Sequence, residues 1–192
     1  MSAIAIKHND EVVDLVTAEE LGITGEEIVL DNSPESLDVL RHSTAHLMAQ
    51  AIKSLYPDAE FYVGPTVKEG FYYDFKTESE IGEGDLKKIE KQMLSFAKKK
   101  YKIEKYTISM DEAKEKFKDD HLKLSVMERI KDDKISIYKQ GEFEDLCRGP
   151  HLPSIGLIRY FKLTKIAGAY LGGDSKNEML TRIYGIAFAD KE

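Results

Sequence analysis

SPESLDVLRHSTAHLMAQAIKSLYP (residues 33–57) decides the fold, because it contains the start, the body and the end of a long helix. Ser33 offers a capping hydroxyl, Pro34 takes the first helical position and Glu35 places an acid in the first turn. The apolar stripe recurs at helical spacing. Its members are Leu37, Leu40, Thr44, Leu47, Met48, Ala51 and Leu55. The pattern predicts a helix from Pro34 to about Leu55, which ends before Pro57.

Further helices and strands follow this helix in the sequence. A second helix is predicted after Gly84, and a capping box at residues 109–112 opens a short third helix. Segments rich in aromatic and β-branched residues predict strands. They are residues 61–63, 71–75, 102–108, 135–138, 161–166 and 179–188. This order of elements favours an α+β fold of two layers, with helices packed on an antiparallel sheet.

The first residues add little to this core. Residues 1–35 contain two strand-like runs, 3–6 and 12–16, joined by a polar connection. Two short strands are too few for an independent domain. We therefore interpret residues 1–35 as a short N-terminal extension and residues 36–192 as the main domain.

Composition restricts the class of protein. Hydrophobic residues make up 42% and charged residues 33% of the 192 residues, which is typical of a globular protein in water. No apolar run approaches the ~20 residues that span a bilayer, and a single cysteine favours a reducing cytoplasm. The net charge of −7 argues mildly against extensive nucleic-acid contact, although lysines are concentrated between residues 87 and 102.

Two histidines on the predicted helix are the first candidates for chemistry. His42 and His46 lie four residues apart, so their side chains meet on one face. At about 100° per residue that face lies opposite the apolar stripe, so packing of the stripe does not explain the pair. An isolated H-x-x-x-H is nevertheless more often a pair of ordinary surface histidines.

A second cluster joins them in DLCRGPH (residues 145–151), where the single cysteine, Cys147, lies four residues before His151. Gly149 and Pro150 predict a turn that lets these two side chains converge, and Asp145 shares a strand face with Cys147 if the strand extends that far. Such pairs commonly hold zinc. On spacing alone, a zinc site and a metal-free polar pocket both stay open. The zinc ligands would be His42, His46, Cys147 and His151.

Four segments give the chain a specific resemblance. They are RHSTAHLMAQAIKSLYP (41–57), GPTVKEGFYYDF (64–75), EDLCRGPHLP (144–153) and FKLTKIAGAYLGGDSKNEMLTRIYGIAFADK (161–191). In order and spacing, residues 36–192 resemble the editing domain of bacterial threonyl-tRNA synthetases. The two histidine-containing pairs would also admit alanyl-tRNA editing domains, but the AGAY-x-x-GDS-x-x-x-x-L-x-RIYG ending resembles the threonyl version. The resemblance implies the threonyl/alanyl-tRNA synthetase editing-domain fold.

The resemblance also implies an activity, hydrolysis of the ester in mischarged Ser-tRNA(Thr). Serine is threonine without one methyl group, which is worth only ~1–3 kcal/mol of discrimination, so a second site must remove the error. Members of this family commonly carry a ubiquitin-like domain before the editing domain, and residues 1–35 would be a remnant of it or another extension. We interpret the chain as a fragment of a cytoplasmic synthetase that ligates threonine to tRNA(Thr) with ATP as a homodimer. A freestanding editing factor is the alternative.

Carried over position by position, the family's editing pocket falls on seven residues. They are His42, His46, Tyr73, Lys123, Asp145, Cys147 and His151. Without the resemblance, Tyr73 would be predicted as core filler and Lys123 as a surface lysine. The resemblance makes the three histidines and Lys123 catalytic, and assigns Tyr73, Asp145 and Cys147 to substrate binding.

The expected mechanism has no covalent step. A water held by the histidines and Lys123 attacks the ester carbonyl, one histidine acts as general base, and Asp145 binds the serine amino group. Cys147 is interpreted as a pocket wall, with a thiolate nucleophile activated by His151 as the alternative. The expected partners are the acceptor end of seryl-tRNA(Thr) and the rest of the synthetase, with no membrane and no required cofactor. A noncatalytic tRNA-binding module held together by zinc is the competing hypothesis.

Overall fold

The computed structural model describes residues 2–191, in which helices alternate with antiparallel strands. The helices are α1 (Leu15–Leu21), α2 (Pro34–Leu55), α3 (Leu86–Lys98), α4 (Met110–Lys116) and α5 (His121–Met127). The strands are β1 (Ala3–His8), β2 (Glu11–Asp14), β3 (Glu26–Val29), β4 (Glu60–Phe61), β5 (Thr66–Val67), β6 (Gly70–Lys76), β7 (Glu104–Ser109), β8 (Lys134–Gln140), β9 (Phe143–Leu146), β10 (Tyr160–Tyr170) and β11 (Met179–Phe188).

The strands form three antiparallel sheets. The largest has the order β10–β11–β6–β4, with β5 also paired to β6. A second sheet has the order β7–β8–β9, and a third, at the N-terminus, has the order β2–β1–β3. Helices α2 and α3 pack together over the largest sheet. The predicted α+β class, with helices on an antiparallel sheet, is therefore confirmed.

Helix α2 has the predicted bounds, Pro34–Leu55, but lacks the predicted hydrogen bond at its N-terminal cap. Ser33 makes no capping hydrogen bond, and its hydroxyl donates to Asp31 instead. Residues 43–52 are buried on every side of the helix. They are enclosed because α2 packs against the largest sheet, α3 and β9 at once. The apolar stripe is therefore only part of its buried surface.

The apolar core lies between α2 and strand β6. Because side chains alternate along a strand, Phe71, Tyr73 and Phe75 all point from β6 into this core, with at most 2% of each exposed. They meet Leu47 and Met48 of α2, which are fully buried. This packing fixes α2 relative to the sheet, and with it the direction of every side chain on the helix.

Two helices that the sequence did not predict begin at aspartate caps. Asp14 accepts a hydrogen bond from the Thr17 amide (3.0 Å), so the run at residues 12–16 is divided between β2 and α1. Asp120 accepts from the Lys123 amide (2.9 Å) and starts α5. Strand β9 was also missed, whereas the predicted strand at 179–188 matches β11.

The N-terminal sheet packs on the same core as the rest of the chain. Ile4 and Ala5 of β1 belong to the core that α2 and β6 build. The division at residue 35 and the origin of the extension stay predictions. No helix within residues 2–191 is both long and apolar enough to cross a lipid bilayer.

Candidate active site

The imidazoles of His42 and His46 leave α2 on the side that faces the loop after β9. Their ring centroids are 5.3 Å apart. The ring of His151 stacks on His42 at 4.2 Å and lies 4.4 Å from His46. Helix α2 and the loop therefore bring three of the five histidines of the chain together.

The loop reverses direction between Cys147 and His151. Gly149 has a φ of 78°, in the left-handed region that favours glycine, and the Gly149–Pro150 peptide is cis. The Cys147 Sγ lies 3.2 Å from His151 Nε2 and 3.1 Å from His42 Nε2. The turn and the helix thus place the thiol between two imidazoles.

Hydrogen-bond partners assign the protons in this cluster. His42 Nδ1 lies 3.2 Å from the Pro150 carbonyl, which only accepts, so Nδ1 carries the proton and Nε2 accepts from the Cys147 thiol. Ser43 Oγ accepts from the Leu152 amide (2.9 Å) and lies 3.0 Å from His151 Nδ1.

A buried hydroxyl needs an acceptor, so we assign its proton to the bond with His151 Nδ1. The proton of His151 is then on Nε2, directed at the Cys147 sulfur. The result is a directional chain of hydrogen bonds from Ser43 through His151 and Cys147 to His42.

His46 differs from the other two histidines. In the part of the chain that the structure describes, no hydrogen bond reaches either of its ring nitrogens, and Nε2 lies 3.7 Å from the Asp145 carboxylate. Burial lowers the pKa of His46 to about 3, so at neutral pH the contact with Asp145 is not an ion pair. Burial also lowers the pKa of His42, and that of His151 to well below its ordinary value. All three rings are therefore neutral at pH 7, and His46 retains a free lone pair.

A buried ion pair lies beside His46. The Lys123 Nζ is 2.6 Å from Asp145 Oδ1, and both side chains are at most 3% exposed. The Tyr73 hydroxyl donates to Asp145 Oδ2, and the Leu146 amide donates to Oδ1 at 2.8 Å. Burial, the largest single effect, raises the pKa of Asp145, but neighbouring charge, chiefly that of Lys123, and the hydrogen bonds from Lys123 and Tyr73 together hold that pKa below its ordinary value.

The burial of Lys123 contradicts what its charged surroundings in the sequence indicate. Helix α5 carries it in its first turn, and Asp120 ties that turn to β4 by accepting from the Phe61 amide (3.1 Å). The helix thereby directs the ammonium into the core, towards Asp145 and the Tyr62 carbonyl. Lys123 can be an interior residue because the buried carboxylate of Asp145 compensates its charge.

A cleft leads from the surface to this ion pair. Its volume is about 920 Å³, and Lys123 and Asp145 belong to its lining. Its wall combines aromatic side chains with four lysines and seven acidic residues. Among them are Lys53, Phe96, Lys99, Tyr101, Lys116 and Phe143. Of the seven predicted site residues, only Lys123 and Asp145 line the cleft. The other five lie behind them, and of those five His42 and Cys147 are only partly buried. The seven predicted site residues thus form one continuous cluster, which the cleft reaches from the side of Asp145.

Three polar residues of the cluster have no signal in the sequence that identifies them. Ser43 bonds His151, and the ring of Tyr138 packs 4.5 Å from the His151 ring. Asp14 accepts from the Tyr138 hydroxyl at 2.6 Å. The Ser43–His151 and Asp14–Tyr138 contacts join residues 108 and 124 positions apart, so only the folded chain brings them together.

The ligand atoms of four side chains also fit a metal ion. One atom from each lies within 4.8 Å of the others. The four are His42, His46, Cys147 and His151. The donor set of three imidazoles and one sulfur is suited to zinc. Without a metal, His42, Cys147 and His151 satisfy one another through the hydrogen bonds above, whereas His46 makes none within the described residues.

Comparison with known proteins gives a family match and several similar proteins. Residues 135–184 match the family model described as threonyl and alanyl tRNA synthetase second additional domain. Over 190 residues the chain is 64% identical to a threonine–tRNA ligase of Nautilia profundicola, which covers 98% of this chain and 31% of that protein. The ligases of Helicobacter hepaticus (64% over 189 residues) and Campylobacter jejuni (60% over 189 residues) match 98% of this chain and 31% of their own lengths. The chain therefore spans about a third of these relatives.

Proposed function

Because residues 135–184 match the threonyl and alanyl tRNA synthetase second additional domain and the whole chain is similar to part of threonine–tRNA ligases, we propose that it hydrolyses the ester of mischarged Ser-tRNA(Thr). The observation that carries the proposal is the buried Lys123–Asp145 ion pair, which lies beside a neutral histidine with a free lone pair. A cation, a carboxylate and a base are the groups that ester hydrolysis by water requires. The match to threonine–tRNA ligases supports threonine tRNA as the carrier and serine as the error to be removed.

The base in this mechanism is His46. Burial lowers its pKa to about 3, and the charge of the Asp145 carboxylate, 3.7 Å from Nε2, opposes that effect and would stabilise the imidazolium formed during the reaction. His42 Nε2 is engaged by the thiol proton and His151 Nε2 carries a proton, so His46 has the lone pair that can receive a proton from water. The water attacks the ester carbonyl while Lys123 stabilises the negative charge that develops on oxygen. Proton transfer to the departing 3′-hydroxyl then releases serine and restores the tRNA end.

Asp145 is the group that recognises the serine ammonium. Lys123 and the Leu146 amide occupy Oδ1, and the Tyr73 hydroxyl occupies one lone pair of Oδ2. The substrate ammonium therefore has to share this carboxylate with Lys123. Sharing weakens the hold of Asp145 on Lys123 and leaves the lysine ammonium available for the ester oxygen.

Cys147 acts as a wall of the pocket in this proposal. Burial raises the pKa of its thiol to about 12, which opposes formation of the thiolate that a nucleophile requires. The sulfur also accepts from the Gly149 amide (3.3 Å) and donates its proton to His42. A direct attack by water is therefore favoured over an acyl-enzyme.

We place this hydrolysis in a larger protein. The remaining two thirds of a chain as long as the relatives would ligate threonine to tRNA(Thr) with ATP, as a cytoplasmic homodimer. The acceptor end of the tRNA would reach the ion pair through this cleft, where aromatic side chains such as Phe96 and Tyr101 offer surfaces for base stacking.

A single-turnover assay tests the proposal. The chain is used in excess over Ser-tRNA(Thr) and, in parallel, Thr-tRNA(Thr), so that weak binding does not hide the chemical step. We expect release of serine and no release of threonine above the uncatalysed rate. Equal rates for both esters, or no release of serine at saturating protein, would contradict the proposal.

The competing function is a tRNA-binding module that zinc holds together, which the four convergent ligand atoms favour. We propose that hydrolysis needs no metal, because His42, Cys147 and His151 hold one another through hydrogen bonds and His46 keeps a lone pair for the attacking water. Metal analysis of the purified chain, with unfolding and deacylation measured before and after chelation, separates the two. Retained fold and rate after chelation support hydrolysis, whereas unfolding on chelation without any deacylation supports the zinc module.

A further inference from the structure

The carboxylate of Asp14 joins the N-terminal segment to the loop of Cys147 and His151. Its Oδ2 accepts from the His151 amide at 3.0 Å, across 137 residues of sequence, and from the Tyr138 hydroxyl at 2.6 Å. Only 2% of Asp14 is exposed. A buried carboxylate that bonds the backbone of a site residue and the aromatic ring beside it fixes the position of that residue.

Helix capping does not account for these two bonds. The cap of α1 uses Oδ1 alone, which accepts from the Thr17 amide at 3.0 Å. Serine, which has one side-chain oxygen, caps a helix about as well as aspartate. The second oxygen of Asp14 is therefore directed entirely at Tyr138 and His151.

The fit at the turn is close. A Cβ built on Gly149 would lie 2.3 Å from the Tyr138 hydroxyl and 2.8 Å from Asp14 Oδ2, so the carboxylate and the phenol lie directly against the backbone of the turn. On the other side, Ser43 holds the His151 ring through Nδ1. The backbone of His151 is held by Asp14, one face of its ring by Tyr138 and its edge by Ser43.

We propose that Asp14 is a positioning residue of the hydrolytic site, which holds His151 against Cys147 and so maintains the hydrogen-bond chain to His42. The inference rests on the proposed function, because it assigns a role in that reaction to the N-terminal segment. Asp14 touches no reacting atom and acts through His151. A loop released from Asp14 would let His151 move against His46, whose ring lies 4.4 Å away, and a misplacement of about 1 Å in an active site costs on the order of a hundredfold in rate.

The test compares Asp14→Ser with a matched control in the same helix. Asp14→Ser retains a capping oxygen for α1 and removes the oxygen that bonds the loop. Ala18→Gly weakens α1, where Ala18 is 3% exposed, and leaves every bond of the Asp14 carboxylate in place. Unfolding by denaturant measures the stability of the two variants. Single-turnover hydrolysis of Ser-tRNA(Thr) gives the maximal rate and the half-saturating concentration. The ¹⁵N NMR signals of the ring nitrogens report the environment of each histidine.

We expect Asp14→Ser to shift the His151 ring signals and to lower the maximal rate about tenfold or more, with the half-saturating concentration unchanged. Ala18→Gly should retain the wild-type signals and rate. Unchanged His151 signals and rate in Asp14→Ser, or an equal loss of rate in Ala18→Gly, would overturn the proposal. A wild-type chain that leaves Ser-tRNA(Thr) intact contradicts the proposed function instead, and the NMR signals then still decide whether Asp14 holds the loop.

Discussion

At the scale of single residues, the site depends on which nitrogen of each histidine carries a proton. The Pro150 carbonyl sets the proton of His42 and the Ser43 hydroxyl sets that of His151, whereas no contact sets that of His46 within the described residues. Hydrogen bonds thus fix the tautomers of two imidazoles, whereas the ring nitrogens of the third have no hydrogen bond within the described residues. The roles of the three histidines are therefore distinct, although the sequence presents them as equivalent.

Substitution of His46 tests this distinction. His46→Gln removes the free lone pair and should lower the maximal rate of seryl-ester hydrolysis by about 10²–10⁴-fold, without changing the half-saturating concentration. The matched control is His8→Gln, because His8 bonds only the Thr24 carbonyl at 2.8 Å on the surface. A His46→Gln variant with the wild-type rate would exclude His46 as the base.

Substitution of Lys123 tests the buried ion pair through stability. Lys123→Met leaves the Asp145 carboxylate buried without its cation and should lower the free energy of unfolding by about 3–5 kcal/mol. Lys91→Met, on an exposed face of α3, should change it by no more than about 0.5 kcal/mol. Chemical denaturation at neutral pH measures both variants.

The deficit of Lys123→Met should also depend on pH. In the wild type the pKa of Asp145 is held below its ordinary value of 3.8, so the stabilisation is present above that value and is lost as the pH falls through the folded pKa. Without Lys123, burial raises the pKa of Asp145. Protonation of Asp145 in acid then removes the buried charge that destabilises the variant. The difference between variant and wild type should therefore shrink from about pH 7 to about pH 5. A deficit independent of pH would mean that lost packing, not lost charge, is its cause.

Local spacing in the sequence predicted the candidate residues that lie close along the chain. The His42–His46 pair follows from helix periodicity, and the turn between Cys147 and His151 follows from glycine and proline. Lys123 could not be placed in this way, because its burial depends on a partner carboxylate that the fold brings from another strand. Its assignment came from the family resemblance alone.

At the scale of elements, long periodic segments were predictable and short capped ones were not. Helix α2 was found because 22 residues repeat one pattern. Helices α1 and α5 have seven residues each, too few for a period to show, and β9 has only the four residues FEDL, two of which are acidic. These three short elements carry or adjoin Asp14, Lys123 and Asp145. Tertiary contacts stabilise them, so their positions follow from the packed molecule and not from local preference.

Helix α5 gives a prediction that belongs to this scale. His121 at its start lies 2.8 Å from Glu60 of β4 and 2.6 Å from Glu178 next to β11, and Lys76 pairs with the same Glu178 at 2.6 Å. The hydrogen bond to Glu178, and then that to Glu60, raise the pKa of His121 despite some burial. The protonated ring therefore joins α5 to two strands of the largest sheet.

The stability that this contact provides should fall with rising pH. The folded pKa lies above the unfolded value of 6.5, so the contribution is complete below 6.5 and is lost as the pH rises through the folded pKa. His121→Gln should therefore be less stable than the wild type at about pH 5.5, by roughly 0.5 kcal/mol or less because the side chains are partly exposed, and equal to it at about pH 8.5. A difference that grows with pH would contradict the assigned contacts.

At the scale of the whole molecule, the N-terminal sheet and the main sheet share a core. Ile4 and Ala5 are buried with the residues of α2 and β6, and Asp14 bonds the loop of His151. Residues that bury one another's apolar surface lose their stability together, since opening either sheet exposes the other to water. A boundary at residue 35 therefore divides the sequence but not the buried interior.

This shared core predicts a single unfolding transition. Amide protons in the centre of β1 should exchange with solvent at a free energy within about 1 kcal/mol of those in β6, and both should match global unfolding by denaturant. Ile4→Ala, which removes buried apolar volume from β1, should lower protection in both strands by about the same 2–5 kcal/mol. The exposed substitution Leu94→Ala on α3 is the control and should leave both strands unchanged. Loss of protection in β1 alone would show that the N-terminal sheet opens independently. The loop of His151 would then lose its hydrogen bond to Asp14 whenever that sheet is open.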